Sequence, residues 1–368
     1  MNRGTEVFVI GGGPVGLAAA IAIREKGFEV TVADGVRPPI DKACGEGLMP
    51  DTIEALTKLG ISIEESDGQA FRGLKFIENR TSVAADFPKA QGIGVRRTIL
   101  HEKMVARASA CGVSLMWNTP VVGVCSEGVA LTSGIVPAKW IVGADGSNSR
   151  VRQWMGLEAH REHKRRFATR RHFHVTPWSE YTEIYWGRDA QAYVTAVGKE
   201  EVCVVLISRR QDAQFDRIIQ GFPELAARLD RAEKFGTDRG AVTAMHSLDR
   251  VYKDNVALIG DASGGVDAIT GDGLCLGFCQ AQALAEAIAG GKLSEYQKEH
   301  RRLGQRSAWM GRLLLLLDGR TYLRRRVFRV FSAEPQVFER LLAIHLGETS
   351  TAHIALTGAQ FGLAFLAA

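Results

Sequence analysis

The residues with the clearest chemical meaning lie at the start of the chain, where closely spaced glycines follow a short apolar run. Residues 6–10 (EVFVI) predict a strand, and Gly11, Gly13 and Gly16 follow with the spacing G-x-G-x-x-G. Gly11 permits a tight turn, and Gly13 leaves room for a phosphate against the backbone. Gly16 allows the next helix to pack closely on the strand. This pattern is typical of a turn that binds the pyrophosphate of a dinucleotide.

Two further features complete the unit. The glycine turn is followed by a helical pattern through Leu17, Ile21 and Ile23, and the start of such a helix presents unpaired backbone N–H groups, which attract an anion. A second apolar strand, residues 29–33, ends at Asp34, eighteen residues after Gly16. A carboxylate at this distance accepts hydrogen bonds from an adenosine ribose and disfavours a 2′-phosphate. The first 34 residues therefore predict a βαβ unit that binds the adenosine half of a dinucleotide.

The length and composition exclude several classes of protein. The chain has 368 residues, of which 46% are hydrophobic and 24% are charged. This is enough for about two domains with a large core, so we exclude a disordered chain, a fibre and a polytopic membrane protein. The net charge is only +5, and no recognition motif for nucleic acid accompanies it. We therefore expect no nucleic-acid partner.

The cysteines and the chain ends bear on the location of the protein. The six cysteines lack zinc-binding spacing, and no secretory signal precedes the first strand, so we expect free thiols in the cytoplasm. Two basic clusters, residues 161–171 and 320–329, are either solvated faces or sites that attract anions. The tail 351–368 is either a buried terminal helix or a peripheral membrane contact.

Two more motifs follow the glycine turn. Residues 143–152 read GADGSNSRVR, and residues 259–274 read IGDASGGVDAITGDGL. The alternating pattern over 113–132 predicts a small β-meander, and that over 167–208 predicts an antiparallel sheet, with a further strand over Ala241–Leu248. The last ~70 residues favour helices throughout.

Together and in this order, the three motifs resemble the flavoprotein superfamily of group A aromatic monooxygenases, of the para-hydroxybenzoate hydroxylase type, and geranylgeranyl reductases. The resemblance covers about residues 5–290. It implies tightly bound FAD, with NADH or NADPH as the reductant. The implied fold is α/β, with a Rossmann-like FAD-binding domain (a parallel sheet with a β-meander), an inserted antiparallel-sheet substrate domain and C-terminal helices.

The implied domain division is discontinuous. The FAD-binding domain comprises residues 1–70, 95–165 and 250–300. The substrate-binding sheet domain comprises residues 71–94 and 166–249, and a C-terminal helical region follows over residues 301–368.

The resemblance also implies which residues contact FAD. Arg97, in an R-x-x-L pattern, is expected to reach the cofactor, although Arg96 is the alternative. Asp145 and Asp261 are expected near the pyrophosphate and the ribityl chain, or else they only cap turns. Cys44, in KACGEGL, lies in a loop near the flavin with or without a redox role. The full expected set is Gly11, Gly13, Pro14, Val15, Gly16, Asp34, Cys44, Arg97, Val122, Asp145, Gly146, Asp261, Gly271, Gly273 and Leu274.

The function that the resemblance favours is an NAD(P)H-dependent monooxygenase that hydroxylates an aromatic, polyketide-like or other apolar small molecule. The alternative is a geranylgeranyl-reductase-like enzyme that acts on C=C bonds of an isoprenoid or lipid. The apolar C-terminal helices would suit such a substrate. Tyr185, Trp186 and Tyr193 of the inserted sheet are the candidate substrate contacts, and alternation along a strand must turn some of them away. The sequence identifies no metal site, catalytic acid or base, or oligomeric state.

Overall fold

The computed structural model describes residues 4–157, 161–162, 165–211, 214–348, 357–358, 360–362 and 365. Most of the tail 351–368, for which a membrane contact was one expectation, therefore lies outside the described residues. The strands are β1 (Thr5–Ile10), β2 (Val30–Ala33), β3 (Gly47–Leu48), β4 (Gly68–Phe71), β5 (Gly73–Glu78), β6 (Thr81–Asp86), β7 (Gly92–Val95), β8 (Ser114–Met116), β9 (Val121–Cys125), β10 (Gly128–Leu131), β11 (Gly134–Gly143), β12 (Arg161–Glu162), β13 (Arg166–His174), β14 (Tyr181–Trp186), β15 (Ala190–Gly198), β16 (Glu201–Ser208), β17 (Glu233–Thr243), β18 (His246–Ser247), β19 (Tyr252–Lys253), β20 (Val256–Leu258) and β21 (Gly264–Gly265). The helices are α1 (Pro14–Glu25), α2 (Pro50–Lys58), α3 (Arg97–Ala110), α4 (Arg150–Trp154), α5 (Phe215–Ile218), α6 (Pro223–Leu229), α7 (Gly273–Ala289), α8 (Leu293–Gly319), α9 (Thr321–Ala333) and α10 (Pro335–His345).

A parallel sheet forms the first layer of the fold. Its parallel strands have the order β20-β11-β1-β2-β8, and β19 pairs antiparallel at one edge. Val7, Phe8 and Val9 of β1 are fully buried, as expected for a central strand covered on both faces. The Rossmann-like part of the predicted fold is confirmed.

The β-meander exists, but its strands differ from the prediction. Residues 113–117 do not start it, because β8 pairs with β2 and extends the parallel sheet. The meander consists of β9, β10 and the first half of β11. The long strand β11 therefore belongs to the meander at one end and to the parallel sheet at the other.

A seven-stranded sheet forms the second layer, with the order β17-β13-β16-β15-β14-β5-β6. Its pairs are antiparallel except for β14 with β5, which run parallel. The strand predicted over Ala241–Leu248 was misplaced, since the observed strand β17 spans Glu233–Thr243. Most of β17 is exposed or half-buried, and its sequence lacks an apolar alternation, which explains the error.

Helices α8, α9 and α10 cover the inner face of the second sheet. Aromatic rings fill the space between them, with Phe76 of the sheet against Phe328 and Phe338, and Phe331 stacked on Phe338. The chain leaves the helical conformation at Arg320, where φ is −135°, and this separates α8 from α9. The predicted helical C-terminal region is confirmed as far as it is described, and the discontinuous domain boundaries stay a prediction.

Arg324 links α9 to the sheet through a buried ion pair. Its Nη2 lies 2.7 Å from Glu78 Oε1, and the two side chains are only 2% and 6% exposed. The basic cluster 320–329 is therefore not a uniformly solvated face, because Arg324 lies inside it.

We expect Arg324→Ala to lower the free energy of unfolding by about 3–5 kcal/mol, because Glu78 would remain charged and buried with only the distant, exposed Arg325 at 3.9 Å. The matched control is Arg302→Ala, which removes an exposed pair with Glu299 and should cost less than about 1 kcal/mol. Denaturant unfolding of the two variants measures the difference. Equal effects would contradict this role for Arg324.

Candidate cofactor cleft and substrate chamber

One continuous cavity of about 850 Å³ joins the two layers. The three sequence motifs line one part, which we call the cofactor cleft. Apolar side chains of the second sheet and of α8–α10 line the other part, the substrate chamber. The predicted residues that line the cavity are Gly11, Gly13, Pro14, Val15, Asp34, Cys44, Arg97, Asp145, Gly146, Trp186, Tyr193, Asp261, Gly271, Gly273 and Leu274.

The glycine turn at the start of the cleft is explained by close packing on one side and open space on the other. A Cβ at Gly16 would lie 1.9 Å from the Gly11 carbonyl oxygen, so Gly16 supports the turn from behind and does not line the cavity. Gly11 has φ +111°, and a Cβ there would lie 2.4 Å from the Ala144 carbonyl oxygen. A Cβ at Gly13 would meet no protein atom within 4 Å. Gly13 thus leaves the space that a pyrophosphate requires.

Two side chains hold the turn in place. Asp34 accepts hydrogen bonds from the N–H of Gly12 at 2.7 Å and of Val36 at 3.0 Å. His101 is fully buried, with Nε2 2.8 Å from the Gly12 carbonyl oxygen and Nδ1 accepting from the Ile40 N–H. Because a carbonyl oxygen only accepts, Nε2 carries the proton, and because Nδ1 accepts a hydrogen bond it carries none, so the ring is neutral. Burial lowers the pKa of His101, which favours this neutral form. Sequence reasoning missed His101, since no motif marks it.

The structure distinguishes between the two candidate arginines. Arg97 is the first residue of α3 and lines the cavity, and its buried Nε has no hydrogen-bond partner among the described residues. Arg96 instead directs Nη1 to Glu201 at 3.4 Å and lies 5.1 Å from the centre of the Phe235 ring. The buried Nε of Arg96 also lacks a hydrogen-bond partner among the described residues, but Arg96 does not line the cavity, so Arg97 is the arginine that is available to a ligand in the cleft.

The second motif is a helix cap joined to the third motif. The carboxylate of Asp145 accepts hydrogen bonds from the N–H groups of Arg150 at 2.7 Å and Val151 at 3.1 Å. Within the protein, Asp145 therefore caps the N-terminus of α4, which was one of the two roles expected for it. Arg152, which sequence reasoning left without a role, is almost fully buried. It donates to the carbonyl oxygens of Ser147 at 2.8 Å and Ala262 at 3.2 Å. Arg152 thus ties the loop of the second motif to that of the third.

The third motif supplies an exposed acid and a helix N-terminus. Asp261 is half-exposed and pairs with Lys42 across the cleft at 3.3 Å. Gly271 has φ +71°, and a Cβ at Gly273 would meet no protein atom within 4 Å. Because α7 begins at Gly273, the N–H groups of its first turn face the cleft without intrahelical partners.

Three predicted contacts do not line the cavity. Besides Gly16, Val122 is 45% exposed on β9, whereas its neighbour Val121 lines the cleft. Tyr185 lies on the face of β14 opposite to Trp186, where its hydroxyl donates to Glu183 at 2.7 Å. The structure therefore does not support Val122 as a cofactor contact or Tyr185 as a substrate contact.

The substrate chamber combines apolar walls with a few polar groups. Trp186 Nε1 and Thr182 Oγ1 are buried without hydrogen-bond partners among the described residues. The Tyr193 hydroxyl donates to Gln191 at 3.2 Å, and burial raises the pKa of Tyr193, which keeps it protonated. The apolar wall residues include Leu74, Phe76, Ile184, Leu314, Leu317, Phe331, Phe338 and Leu342.

The basic cluster at 161–171 is a solvated face only in part, because Arg165 is exposed whereas three other arginines are buried. In its described part, Arg166, Arg170 and Arg171 are at most 8% exposed. Each pairs with a carboxylate of the protein, chiefly Asp267, Asp41 and Asp238 respectively. These three arginines therefore neutralise carboxylates of the protein itself.

The groups that line the cleft match the chemical groups of FAD. Gly13 and Gly273 leave open space, the N-termini of α1 and α7 offer N–H donors, and Arg97 has a buried donor without a partner. These are the groups that a pyrophosphate and a ring with anionic character require.

We expect Arg97→Met to weaken FAD binding by about 10- to 100-fold, the value of a hydrogen bond to a charged group. Arg96→Met is the matched control and should leave the affinity unchanged, because Arg96 does not line the cavity. Titration of the apo-protein with FAD, followed by flavin fluorescence, measures both. A normal affinity for Arg97→Met would contradict the assignment.

Comparisons with known proteins agree with this geometry. The menaquinone reductase of Mycolicibacterium smegmatis is 27% identical over 80% of this chain and 79% of its own. The 3-demethoxyubiquinol 3-hydroxylase of Escherichia coli is 24% identical over 78% of this chain and 80% of its own. A flavoprotein/dehydrogenase from Cytophaga hutchinsonii has the same fold, with a TM-score of 0.81, 18% identity and coverage of 93% and 92%.

The described helices are all either too short or too polar to traverse a lipid bilayer. The family model for the FAD binding domain matches residues 4–291, most of the chain. With the cleft geometry, this match makes the chain an FAD-dependent oxidoreductase that belongs to the FAD-binding-domain flavoprotein family.

Proposed function

We propose that this protein is an NAD(P)H-dependent monooxygenase that hydroxylates an apolar small molecule in the substrate chamber. The observation that carries the proposal is the continuity of the cavity, in which a cofactor cleft opens directly into a buried apolar chamber. The similarity to a 3-demethoxyubiquinol 3-hydroxylase supports the reaction class.

The chain's own residues would bind FAD and the substrate, orient them towards each other and shield them from bulk water. FAD, when bound, supplies the transfer of electrons from NAD(P)H to oxygen, of which one atom enters the substrate and the other leaves as water. The apolar walls exclude bulk water from the reacting atoms. Trp186 Nε1 and Thr182 Oγ1 offer hydrogen bonds that orient a polar group of the substrate. The N-terminus of α7, next to Gly271 and Gly273, would stabilise negative charge on a ring held in the cleft.

A second candidate is a reductase that adds two electrons and two protons to a C=C bond of an isoprenoid or lipid. Two observations favour it. The menaquinone reductase of M. smegmatis is similar over four-fifths of this chain, and the walls of the chamber suit a long apolar chain. In this reaction the cleft and the chamber have the same roles, but oxygen is not a substrate.

One experiment separates the two candidates. The FAD-loaded protein is incubated with NADH or NADPH and with a ubiquinol or a menaquinone analogue, under ¹⁸O₂ and without oxygen. Product that gains one ¹⁸O atom, and that does not form without oxygen, supports the monooxygenase. Product whose isoprenoid chain gains two hydrogen atoms across a C=C bond without oxygen, and not merely a quinone ring reduced to a quinol, supports the reductase. Reduction of the flavin with neither product, over a panel of apolar quinones and prenyl lipids, would reject both.

We expect Trp186→Phe to raise the KM for the substrate by about two- to tenfold, the value of one neutral hydrogen bond. Tyr185→Phe is the matched control, because it removes a polar atom from the next residue on the opposite face of the same strand. It should leave the KM unchanged. Initial-rate kinetics of both variants test the placement of the chamber, and equal KM values would contradict it.

We also propose that the C-terminal region makes a peripheral contact with an anionic membrane. Trp309 is 49% exposed and Val242 is 50% exposed, and both lie at the edge of the chamber. Leu316 is 45% exposed and lies two turns beyond Trp309, on the same face of α8. Exposed Arg312 and Arg320 flank this stripe with positive charge. An apolar stripe with basic flanks is typical of an interfacial helix.

We expect the protein to float with vesicles that contain phosphatidylglycerol but not with vesicles of phosphatidylcholine alone. Trp309→Glu should abolish this binding, because it places a charge in the apolar stripe. Glu299→Gln, on an exposed turn of the same helix, should not reduce it. Failure of the wild-type protein to bind either vesicle would contradict the proposal.

A further inference from the structure

Strand β13 carries two buried arginines on the face that it turns towards the cavity. Arg166 is 3% exposed and Arg170 is 1% exposed, and they are four residues apart. Side chains at this spacing lie on one face of a strand, about 13 Å apart. Ala168 lies between them on the same face and lines the cavity. Burial of two arginines beside a cavity requires a reason beyond packing.

Arg166 holds the loop of the third motif. Its Nε donates to Asp267 Oδ2 at 3.2 Å, its Nη2 donates to Oδ1, and its Nη1 donates to Gln191 at 3.0 Å. Asp267 in turn accepts from the Ile269 N–H at 3.0 Å, which caps the short turn Ala268–Thr270. Gly271 follows this turn directly. Arg166 therefore fixes the backbone that leads into the N-terminus of α7.

Arg170 holds the other loop of the cleft. It donates to both oxygens of Asp41, at 2.7 and 2.8 Å, and to Glu46 Oε1 at 3.0 Å. Asp41 and Glu46 bracket the segment that contains Cys44 and lines the cavity. Glu46 also accepts from the Arg97 N–H at 2.9 Å. One guanidinium thus fixes both ends of this loop and, through Glu46, the start of α3.

Glu46 is a charged anchor and not part of a metal site. Glu46, His172 and Cys203 place potential ligand atoms within 4.8 Å of one another. However, both oxygens of Glu46 already have partners, namely Arg170 and the Arg97 N–H on one and His172 at 2.7 Å on the other. Burial raises the pKa of Glu46, but these bonds and charges outweigh it and hold the pKa below its ordinary value.

We propose that Arg166 and Arg170 form a two-point clamp. The clamp fixes two loops that would border the flavin ring, residues 41–46 and residues 267–271, relative to the wall of the substrate chamber at Ala168. The two loops come from distant parts of the chain, and both are fixed to one strand of the second sheet. Ala168, which lines the chamber, lies on this strand between Arg166 and Arg170. This proposal requires that the cleft binds FAD, but it does not depend on whether the enzyme oxygenates or reduces its substrate.

The physical reason for arginine is its rigid, planar fork. A lysine in either place keeps the charge but cannot bind both carboxylate oxygens with fixed geometry. Charge neutralisation alone would tolerate lysine, whereas positioning would not. A displacement of about 1 Å between reacting groups can lower a rate about 100-fold.

The test compares Arg166→Lys and Arg170→Lys with Arg171→Lys. Arg171 is the matched control, because it lies on the opposite face of the same strand and pairs with Asp216 and Asp238. Each variant is loaded with FAD. We measure the visible absorption bands, the midpoint potential of the flavin and the thermal midpoint.

We expect both clamp variants to retain FAD with shifted absorption bands and a shifted potential, and Arg171→Lys to match the wild type. Once a substrate is known, product formed per NAD(P)H consumed should fall in the clamp variants only. Wild-type spectra and potentials in the clamp variants, with only a lower thermal midpoint, would overturn the proposal.

A substitution of a partly buried partner of Arg170 tests the clamp even if the arginine variants do not fold. Asp41 is only partly buried, and Asp41→Asn removes its charge from the pair with Arg170 and from a second, half-exposed pair with Arg239. It should change the flavin spectrum in the same direction as Arg170→Lys. A wild-type spectrum in folded, FAD-loaded Asp41→Asn would overturn the clamp at this loop even if the arginine variants do not fold.

Discussion

The structure depends on the pairing of buried carboxylates with arginines where its two sheets meet. A carboxylate that leaves water loses much of its hydration, and only a well-placed cation with further hydrogen bonds compensates for this. Asp267, Glu46 and Glu78 are all at most 6% exposed, and each has such a partner on another element of the fold. These pairs connect the cofactor loops, the second sheet and the C-terminal helices. They determine where the cavity lies and which loops surround it.

The cofactor cleft follows from glycine positions that are of two kinds. Gly11 and Gly16 are required because protein atoms already occupy the place of a side chain, whereas Gly13 and Gly273 border open space in the cleft that leaves room for a ligand. His101 then fixes the turn as a neutral imidazole that donates at one nitrogen and accepts at the other. The part of the cleft that would bind adenosine therefore depends on tight packing, whereas the part that would bind the flavin ring depends on the loops held by Arg166 and Arg170.

The sequence predicted those parts of the fold and site that local spacing determines. The βαβ unit, the antiparallel sheet and the C-terminal helices were recognisable because their patterns repeat over short distances. Strand β17 was misplaced because it is largely exposed, and β8 was assigned to the meander because its partner β2 is far away in sequence. Tyr185 and Trp186 are adjacent, so the sequence could not say which of them faces the chamber.

The contacts that the sequence could not predict are those between distant segments. Arg166 and Arg170 belonged to a basic run that is typical of a solvated surface, and only the fold places Asp267 and Asp41 against them. His101 belongs to no motif, and Arg152 is the last residue of the second motif; both bond to backbone carbonyls of other segments, which no sequence pattern marks. A glutamate between two glycines in KACGEGL was the only hint of Glu46, whose φ of +59° is uncommon for a residue with a side chain.

The central claim is that a single FAD spans the cleft, with its ring at the junction with the substrate chamber. A crystal structure of the FAD-loaded protein tests it most directly. The account predicts density for the pyrophosphate at Gly13 and Arg97, and for the ring between Gly271 and the loop that Arg170 holds. Density for the ring outside this junction, or a cleft that stays empty at saturating FAD, would contradict the account.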